Sequence, residues 1–549
     1  MACFYCSFSH QETHDVRTII ASLLAQLCED IPALWEDVNK QYLSSKSQRR
    51  HMQNKMSLQE GYTILSQGGV KLSGGYLFLD AINESQHSRK MLDLIKNLLR
   101  NIPSVRIMMS STEELDESFE PQEVEIVAMD RRGISRDIQI YIGDWLENDP
   151  HLSNLPDSLK AKISSKLQSG NHGVYVALRT CRREADCVTR FRWVQCQLEA
   201  LTWKKTPRDI HNALANVPRT LTETYQGILS RIPSDDAETA RQMLFWVSSA
   251  MMPMTLTELC EAIIIDEDQV VINEDVRLLN PRGTLELCSS LISYDHRTTT
   301  VTLAHSSVLD YLSSKDIRES DVRSYYMDSQ DVFQALPRRC IHYLMLPAFS
   351  SGCCSNQREL IQRLDSWPLL TYIAETLFDH LEYADLRDTA FKDIVLRFFA
   401  THRHPRGGNF GAWVQAFIPR TTFNIESSTP LYYAARFGLV RLVRLLLQTQ
   451  GTVDLEKPGG VYGSTPLHVA AWAGRREVVK ELLDAGANAK ETNFDGESGL
   501  SWAMRNGDHV IERMLKDAGA ICDDEPDELW SVTDRKTMKR ISEGSSLQL

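Results

Sequence analysis

The stretch 464-STPLHVAAWAGRREVVKELLDAGAN-488 decides the architecture of the C-terminal part of the chain, because a closely similar stretch precedes it. The tripeptide Thr-Pro-Leu at 429–431, within 428-STPLYYAARFGLVRLVRLLL-447, recurs at 465–467, 36 positions later. A weaker copy, 497-ESGLSWAMRNGDHVIERMLKDAGA-520, follows 33 positions after the second. Self-similarity at a nearly fixed period is typical of stacked repeats.

Each copy predicts a pair of short helices joined by a turn. Thr465 and Pro466 suit the start of the first helix, where the N–H that proline lacks would stay unbonded in any case. Gly474 and Gly486 follow the two helices at positions that favour a left-handed backbone. The pattern T-P-L-H-x-A-A, then x-G, then L-L-x-x-G-A resembles the ankyrin repeat. One such unit cannot bury its own apolar face, so we expect a solenoid of about three repeats over 426–522.

An ankyrin solenoid implies a surface that binds a protein partner. Trp472, on the first helix of the second copy, and Arg436 are the candidate partner-binding residues, because a surface aromatic side chain can anchor a partner. The alternative is that so short an array only packs on the domain before it. We expect His468 to be structural, bonding the backbone between adjacent repeats. Residues 523–549 are interpreted as a charged tail.

A second informative stretch, 76-YLFLDAINES-85, lies near the N-terminus. Apolar residues run into Asp80, and Glu84 follows four positions later. Strand–helix alternation over residues 1–130 predicts a parallel sheet with helices on its faces, and such sheets bind ligands beyond the carboxyl ends of their strands. Asp80 is therefore a candidate Mg²⁺ ligand, and Glu84 a candidate for orienting a water in nucleotide hydrolysis. The alternative is that Asp80 only caps the strand end.

A nucleotide site also needs a glycine-rich loop with a lysine that holds the phosphates. The pattern G-x-x-x-x-G-K-[ST] must follow the first strand and open a helix, and the chain contains no Gly-Lys dipeptide. The stretch 68-GGVKLSGG-75 has a different spacing and is interpreted as a loop. We therefore expect no cofactor in this chain and no catalysis, and ATP or GTP with Mg²⁺ only if a longer protein supplies the loop.

The chain resembles the NACHT-type signalling NTPases of filamentous fungi, a NOD-like group with nephrocystin-like N-terminal regions, truncated before or at the phosphate loop. The stretch at 76–85 resembles their Walker B segment, 173–177 a helix of their lid subdomain, and 218–229 a conserved junction. The stretch 301-VTLAHSSVLDYL-312 resembles their winged helix, in which a histidine contacts nucleotide phosphate; His305 is the matching candidate.

The resemblance implies a multidomain α/β plus α architecture. The expected parts are a truncated P-loop-type parallel sheet, a helical lid, a winged helix, a helical linker and the ankyrin solenoid. Their expected bounds are 1–130, 131–215, 216–315, 316–425 and 426–522.

Two functions from different classes follow from these expectations. The first is a non-catalytic regulatory or scaffold protein that binds partners through its ankyrin repeats. The second is an ATP- or GTP-dependent switch of the incompatibility type, whose phosphate loop and effector lie outside this sequence and whose full-length form could assemble as a homo-oligomer. A third possibility is a poorly folding product, because a truncated sheet would expose an edge strand near the N-terminus.

Composition limits the remaining function classes. The 549 residues carry a net charge of −13 with an isoelectric point near 5.7, and neither value favours nucleic acid as a partner. The longest mostly apolar stretch is too short for a membrane span and contains Pro253. The twelve cysteines have no repeating spacing, which favours reduced thiols and a cytoplasmic location.

Overall fold

The structure is a computed structural model, and every structural statement below concerns the residues that it describes. Several of the interpretations above fall outside them, namely Glu84, the lid segment 173–177 and the tail 523–549. The described residues are 2–5, 16–30, 35–36, 75–80, 82, 95–96, 105–110, 131–170, 185–265, 277–419, 428–448, 454–460 and 462–521.

Among the described residues near the N-terminus, three parallel strands form a sheet in the order β1 (Ala2–Tyr5), β2 (Gly75–Asp80), β3 (Val105–Met109). Parallel pairing of these strands was expected from the sequence and is confirmed. Leu77 and Leu79 are buried while Tyr76 is exposed, because successive side chains of a strand point to opposite faces. Helix α1 (Val16–Asp30) contacts β1 and buries its own apolar residues, Ile19 and Leu23 among them.

On the side of β1 where no described strand pairs with it, a side chain from α1 blocks the centre of the strand. The Gln26 amide accepts a hydrogen bond from the Cys3 N–H at 2.9 Å and donates one to the Cys3 carbonyl at 2.8 Å. Gln26 therefore occupies the backbone groups that a further strand would use. The expected exposure of this edge is thus reduced, since an edge strand whose groups are bonded offers less of a template for aggregation.

The described residues 131–170 and 185–229 are mainly helical. Each apolar face is buried, as in Ile138 and Ile142 of the first helix. Thr206 and Thr220 precede the last two helices, and their hydroxyl oxygens accept bonds from backbone N–H groups in the first turn. The helices are α2 (Arg131–Asn148), α3 (Asp157–Gly170), α4 (Ala185–Thr202), α5 (Pro207–Ala215) and α6 (Leu221–Leu229).

A small antiparallel sheet follows, with strand order β4-β6-β5. Together with its helices it forms the winged helix that the sequence predicted. Thr255 and Glu258 form a capping box at the start of the second helix. The elements are α7 (Ala237–Ser249), β4 (Met254–Thr255), α8 (Leu256–Ala262), α9 (Pro281–Leu285), β5 (Ile292–Asp295), β6 (Thr300–Leu303) and α10 (Ser306–Leu312).

The chain divides into two compact units. The first contains residues 1–343 and 364–380, and the second contains 344–363 and 381–549. Four α-helices follow the winged helix along the chain, up to residue 383. They are α11 (Lys315–Arg318), α12 (Ser329–Leu344), α13 (Gln357–Ser366) and α14 (Leu369–Tyr383).

An aromatic cluster covers the N-terminal end of the repeats. It is built on α15 (Thr389–Ala400) and α16 (Gly408–Phe417), which lie in the part of the chain expected to be a linker. The rings of Phe410 and Trp413 lie 5.9 and 6.3 Å from the Tyr433 ring, centre to centre. These helices therefore do more than connect, because a solenoid needs a cap on its terminal repeat.

Three helix pairs form the repeats themselves. Thr465 caps the first helix of the second repeat, and Gly474 and Gly486 have φ of +69° and +93°, so the expected roles of these residues are confirmed. In the third repeat Ser498 replaces the threonine as cap. The helices are α17 (Pro430–Phe437), α18 (Val440–Gln448), α19 (Pro466–Trp472), α20 (Arg476–Asp484), α21 (Gly499–Asn506) and α22 (His509–Asp517).

Among the helices in the described part of the chain, none combines the length and the hydropathy that crossing a lipid bilayer requires. Every cysteine whose side chain the structure describes has a free thiol.

Candidate functional site

The first helices of the three repeats end in a row of equivalent residues. Arg436, Trp472 and Arg505 each lie two positions before the glycine that follows their helix. Because α17 packs beside α19 and α19 beside α21, these residues follow one another along the array. Arg436 and Trp472 are half-buried and Arg505 is exposed. We call this row the helix-end row.

Arg436 is fixed between two aromatic rings. Its guanidinium carbon lies 5.6 Å from the centre of the Trp472 ring and 5.8 Å from the centre of the Phe437 ring. Such cation–π contacts hold a charged side chain against an apolar surface and leave its N–H groups available for bonds. Arg436 therefore presents a positive charge in a defined position.

Side chains of the following repeat fix the backbone of this row. Arg475 Nε donates to the Arg436 carbonyl at 3.3 Å, and Asn506 Nδ2 donates to the Trp472 carbonyl at 2.8 Å. Both carbonyls lie in the last turn of a helix, where backbone oxygens lack helical partners. The helix-end row is consequently held in place by inter-repeat bonds before any partner arrives.

Carboxylates neutralise several arginines of the array but not Arg436. Arg444 pairs with Glu481 at 2.7 Å, Arg476 with Asp508 at 3.1 Å, and Arg505 with Glu497 at 2.5 Å. Within the described residues, no carboxylate lies within ion-pair distance of Arg436. The helix-end row thus combines a half-buried tryptophan with an arginine whose charge no described carboxylate compensates.

The loops before the second and third repeats expose two aromatic side chains that sequence reasoning missed. Phe494 is 76% exposed and Tyr462 is 37% exposed. The loops contact each other, since the Phe494 N–H donates to the Tyr462 carbonyl at 2.9 Å. Gly463 has φ of +59°, and a Cβ there would lie 2.4 Å from the Phe494 ring. An aromatic residue within two positions of a glycine in each loop was the available sequence signal.

His468 has the structural role that the sequence predicted. Its Nδ1 lies 2.7 Å from Thr465 Oγ1, and its Nε2 lies 2.9 Å from the carbonyl oxygen of Glu491 in the next loop. Burial lowers the pKa of this imidazole. His468 therefore joins the second repeat to the third and is not available to a ligand.

A separate polar pair lies at the carboxyl end of the parallel sheet. Asp80 ends β2, and Ser110 follows β3 and donates its hydroxyl to Asp80 Oδ1. The backbone of Ser110 is held by bonds to Leu79 and Ile82, of 3.0 and 3.1 Å. The described residues thus provide one exposed carboxylate and one hydroxyl where a nucleotide site was expected. The role of Asp80 stays a prediction.

His305 is built into the winged helix. Its Nδ1 accepts a bond from the Ser307 N–H at 3.1 Å and so caps α10. Ser307 Oγ lies 2.8 Å from the Tyr225 hydroxyl, which continues this network. Burial, together with the positive charge of Arg192, lowers the pKa of His305 to about 4. At neutral pH the ring is therefore uncharged, which removes the electrostatic attraction that a phosphate-binding histidine offers.

The buried Arg192 is a second residue of this network that the sequence did not single out. It extends from α4, donates to the carbonyl of Ser290 and bonds the hydroxyl of Tyr225. It thereby joins α4 to α6, which carries Tyr225, and to the segment before β5, which contains Ser290. Nothing in the sequence distinguishes this arginine from its neighbours, because only the fold brings Ser290 and Tyr225 to it.

Three family models match the chain. Residues 1–112 match the N-terminal region of nephrocystin 3, residues 232–323 match the winged helix domain of GPI inositol-deacylase, and residues 406–493 match ankyrin repeats in three copies. The chain is thus similar, in three separate segments, to a nephrocystin-type N-terminal region, a winged helix domain and ankyrin repeats. The ankyrin match begins at residue 406, within the aromatic cluster that covers the first repeat.

Curated relatives of the chain include two fungal proteins. Azaphilone pigments biosynthesis cluster protein L of Monascus ruber is 23% identical over 301 residues, which cover 50% of this chain and 61% of the relative. Vegetative incompatibility protein HET-E-1 of Podospora anserina is 23% identical over 319 residues, which cover 56% of this chain and 22% of the relative.

Human ankyrin repeat and SOCS box protein 11 is 41% identical over 78 residues, 14% of this chain and 23% of that protein. The chain thus spans about three fifths of the first relative and less than a quarter of the other two.

Proposed function

We propose that this protein is a non-catalytic regulatory or scaffold protein that binds a protein partner through its helix-end row. The observation that carries the proposal is Arg436, which lies over the Trp472 ring and has no carboxylate beside it among the described residues. Tryptophan and arginine are the side chains that most often dominate interface energies. A partner that covers this pair would desolvate both at once.

The rigidity of the row also favours binding. The backbone of Arg436 and Trp472 is bonded to the following repeat, so little conformational entropy remains to be lost when a partner is bound. The exposed rings of Phe494 and Tyr462 provide further apolar surface on the loops. Surface aromatic residues of this kind are enriched in the cores of protein interfaces.

Similarity to an incompatibility protein supports a signalling context for this binding. The relative from Podospora anserina is named for vegetative incompatibility, and the N-terminal region of the chain matches nephrocystin 3. We infer that the ankyrin surface recognises a protein and that the N-terminal domains pass on its presence, as in NOD-like signalling.

Peptide selection on the immobilised full-length chain tests the proposal. Random dodecapeptides displayed on phage should be enriched by the wild-type chain and by Trp203→Ala, which truncates a tryptophan that is 62% exposed and outside the repeats. Trp472→Ala should weaken the binding of the selected peptides by about 2 kcal/mol, roughly thirtyfold in Kd. Equal binding by Trp472→Ala and Trp203→Ala would exclude the helix-end row as the binding surface.

A nucleotide-dependent switch is the second candidate function, and the pair of Asp80 and Ser110 favours it. Binding of ATP or GTP with Mg²⁺ would change the charge at the carboxyl end of the sheet. Asp80 is the described residue that would face the metal. Fluorescent ATP and GTP analogues should then bind the full-length chain in a Mg²⁺-dependent way and bind Asp80→Asn more weakly. Absence of Mg²⁺-dependent binding to the wild-type chain would contradict this function.

A further inference from the structure

The chain carries its own candidate ligand for the helix-end row. The stretch 523-DDEPDELW-530 contains five acidic residues among eight and ends in Leu529 and Trp530. It starts two positions after Ile521, the last described residue. This segment therefore contains carboxylates, which Arg436 lacks as partners among the described residues. It also contains apolar side chains suited to an aromatic surface. We call residues 523–530 the acidic segment.

We propose that the acidic segment binds the helix-end row of its own chain, with a carboxylate against Arg436 and its apolar end against the exposed aromatic surface. The inference rests on the proposed function, because it assigns an occupant to the same surface. It goes beyond that function, because the acidic segment then covers the helix-end row whenever no partner is bound.

Charge complementarity favours this occupant. Arg444, Arg476 and Arg505 already pair with carboxylates of the array, so an incoming carboxylate gains less from them than from Arg436. Arg475 is bonded to the Arg436 carbonyl and adds a second positive charge at the same place. A carboxylate can accept two parallel bonds from one guanidinium, which is the geometry of strong ion pairs.

The length of chain after Ile521 is sufficient. The helix-end residue Arg436 lies two first helices away from the last repeat, a distance of roughly 16–20 Å at the usual helix spacing of 8–10 Å. The length of α21 along its own axis, about 12 Å for eight residues, is at right angles to that distance, so the straight path is roughly 20–23 Å. Seven extended residues span about 23 Å. Glu528 is the seventh residue after Ile521, so the acidic segment can reach the row without unfolding the third repeat.

A tethered ligand competes strongly with a partner. A short flexible connection gives an effective concentration in the millimolar range, so an acidic segment of only modest intrinsic affinity would cover the row most of the time. A partner must then displace the segment. The apparent affinity of the partner falls in proportion to the fraction of chains whose row is uncovered. The covered row also explains how an aromatic and arginine surface is protected from non-specific contacts.

The test uses a fluorescein-labelled peptide of residues 523–532 and two chains, the full-length chain and a chain that ends at Ile521. We expect the peptide to bind the shortened chain at least tenfold more tightly than the full-length chain, in proportion to the competition in cis. A peptide with its five acids replaced by Asn or Gln should bind at least about tenfold more weakly, the loss expected for one charged hydrogen bond. Added salt should lower the affinity of the acidic peptide for the shortened chain, because salt screens the attraction between the carboxylates and Arg436.

Matched variants of the shortened chain locate the site. Arg436→Gln should reduce peptide affinity about tenfold, the loss expected for one charge-assisted bond. Arg513→Gln, which changes an exposed arginine of α22, should leave it unchanged. The neutral peptide keeps the result interpretable if Arg436→Gln disturbs folding. No binding to the shortened chain, or equal binding to both chains or to both arginine variants, would overturn the inference.

The outcomes also separate this inference from the proposed function. If the shortened chain selects library peptides through Trp472 but ignores the 523–532 peptide, the proposed function stands and the acidic segment is not the occupant. If the segment binds only between chains, the full-length protein will dimerise with rising concentration in light scattering and the shortened chain will not. That result would overturn binding in cis.

Discussion

The guanidinium carbon of Arg436 lies 5.6 Å from the centre of the Trp472 ring, so the first two repeats share a cation–π contact at the ends of their first helices. This contact joins two residues that sequence reasoning had selected separately as partner-binding candidates. A contact between repeats stabilises the array as well as shaping its surface, because each repeat in a solenoid depends on its neighbours. Stability and binding must therefore be measured together for either residue.

Replacing Arg436 by glutamine should affect binding more than stability. Loss of the cation–π contact should lower the free energy of unfolding by about 0.5–1 kcal/mol. Arg513→Gln, on an exposed surface of α22, should change it by less than about 0.5 kcal/mol. Urea denaturation followed by circular dichroism measures both. A loss above about 2 kcal/mol for Arg436→Gln would show that this arginine is mainly a structural residue of the array, against the proposed interface.

Replacing Gln26 by alanine should open the edge of the N-terminal sheet. The variant loses both bonds to the Cys3 backbone, each of which contributes about 0.5–1.5 kcal/mol. The freed N–H and carbonyl would then be available to pair with another chain. We expect faster aggregation in static light scattering at moderate temperature.

The matched control for this edge is Gln168→Ala. Among the described residues, the Gln168 amide bonds only to Ser164, within its own helix α3. This variant should aggregate at the wild-type rate. If Gln26→Ala and Gln168→Ala behaved alike, blocking of the β1 edge by Gln26 would not be what limits aggregation.

The repeats and the strands were predictable because local rules determine them. Thr465 and Gly474 act as the repeat pattern implies, since caps and left-handed glycines depend on residues close in sequence. The bond from His468 to the loop 23 positions later was predictable because it belongs to the repeat pattern. The parallel strands were predictable because apolar runs separated by helical segments leave few alternatives.

The environment of each candidate residue was not predictable from the sequence. That Arg436 lies over Trp472, that Arg192 bonds Ser290, and that Gln26 covers Cys3 all depend on residues 23 to 98 positions apart. The neutral state of His305 depends on burial against helices that the sequence does not bring together. Long-range packing decides these features, and a single sequence reveals it only where the residues repeat.

Helices α15 and α16 should stabilise the array as its N-terminal cap. A fragment of residues 387–521 should unfold at a higher temperature than residues 426–521, because Phe410, Trp413 and Phe417 cover Tyr433 and Phe437. Replacing Trp413 by alanine in the longer fragment should cost about 3–5 kcal/mol, the usual loss for a buried tryptophan, and remove most of this advantage. Equal melting temperatures for the two fragments, measured by calorimetry, would contradict a capping role.

The stability of the winged helix should fall as the pH falls from about 6.5 towards 4. His305 has a folded-state pKa of about 4, below the usual value of 6.5, so the unfolded chain takes up its proton first. The folded state is therefore not penalised by His305 above pH 6.5. Below that pH, protonation of this histidine in the unfolded chain progressively lowers the free energy of unfolding. At pH 5 this should cost up to about 2 kcal/mol relative to pH 7.5.

Two histidine variants isolate this effect. His305→Asn keeps a residue that can cap α10, because asparagine is among the best caps, but it removes the titrating group. It should lose less stability than the wild-type chain between pH 7.5 and pH 5 in urea denaturation. His509→Asn, which changes a histidine whose side chain is 87% exposed, should keep the wild-type dependence. If His305→Asn and the wild-type chain lost the same stability, the pKa of His305 would be the same in the folded and unfolded chain. The folded ring would then become charged as the pH falls through about 6.5, and its use as a phosphate ligand would regain support.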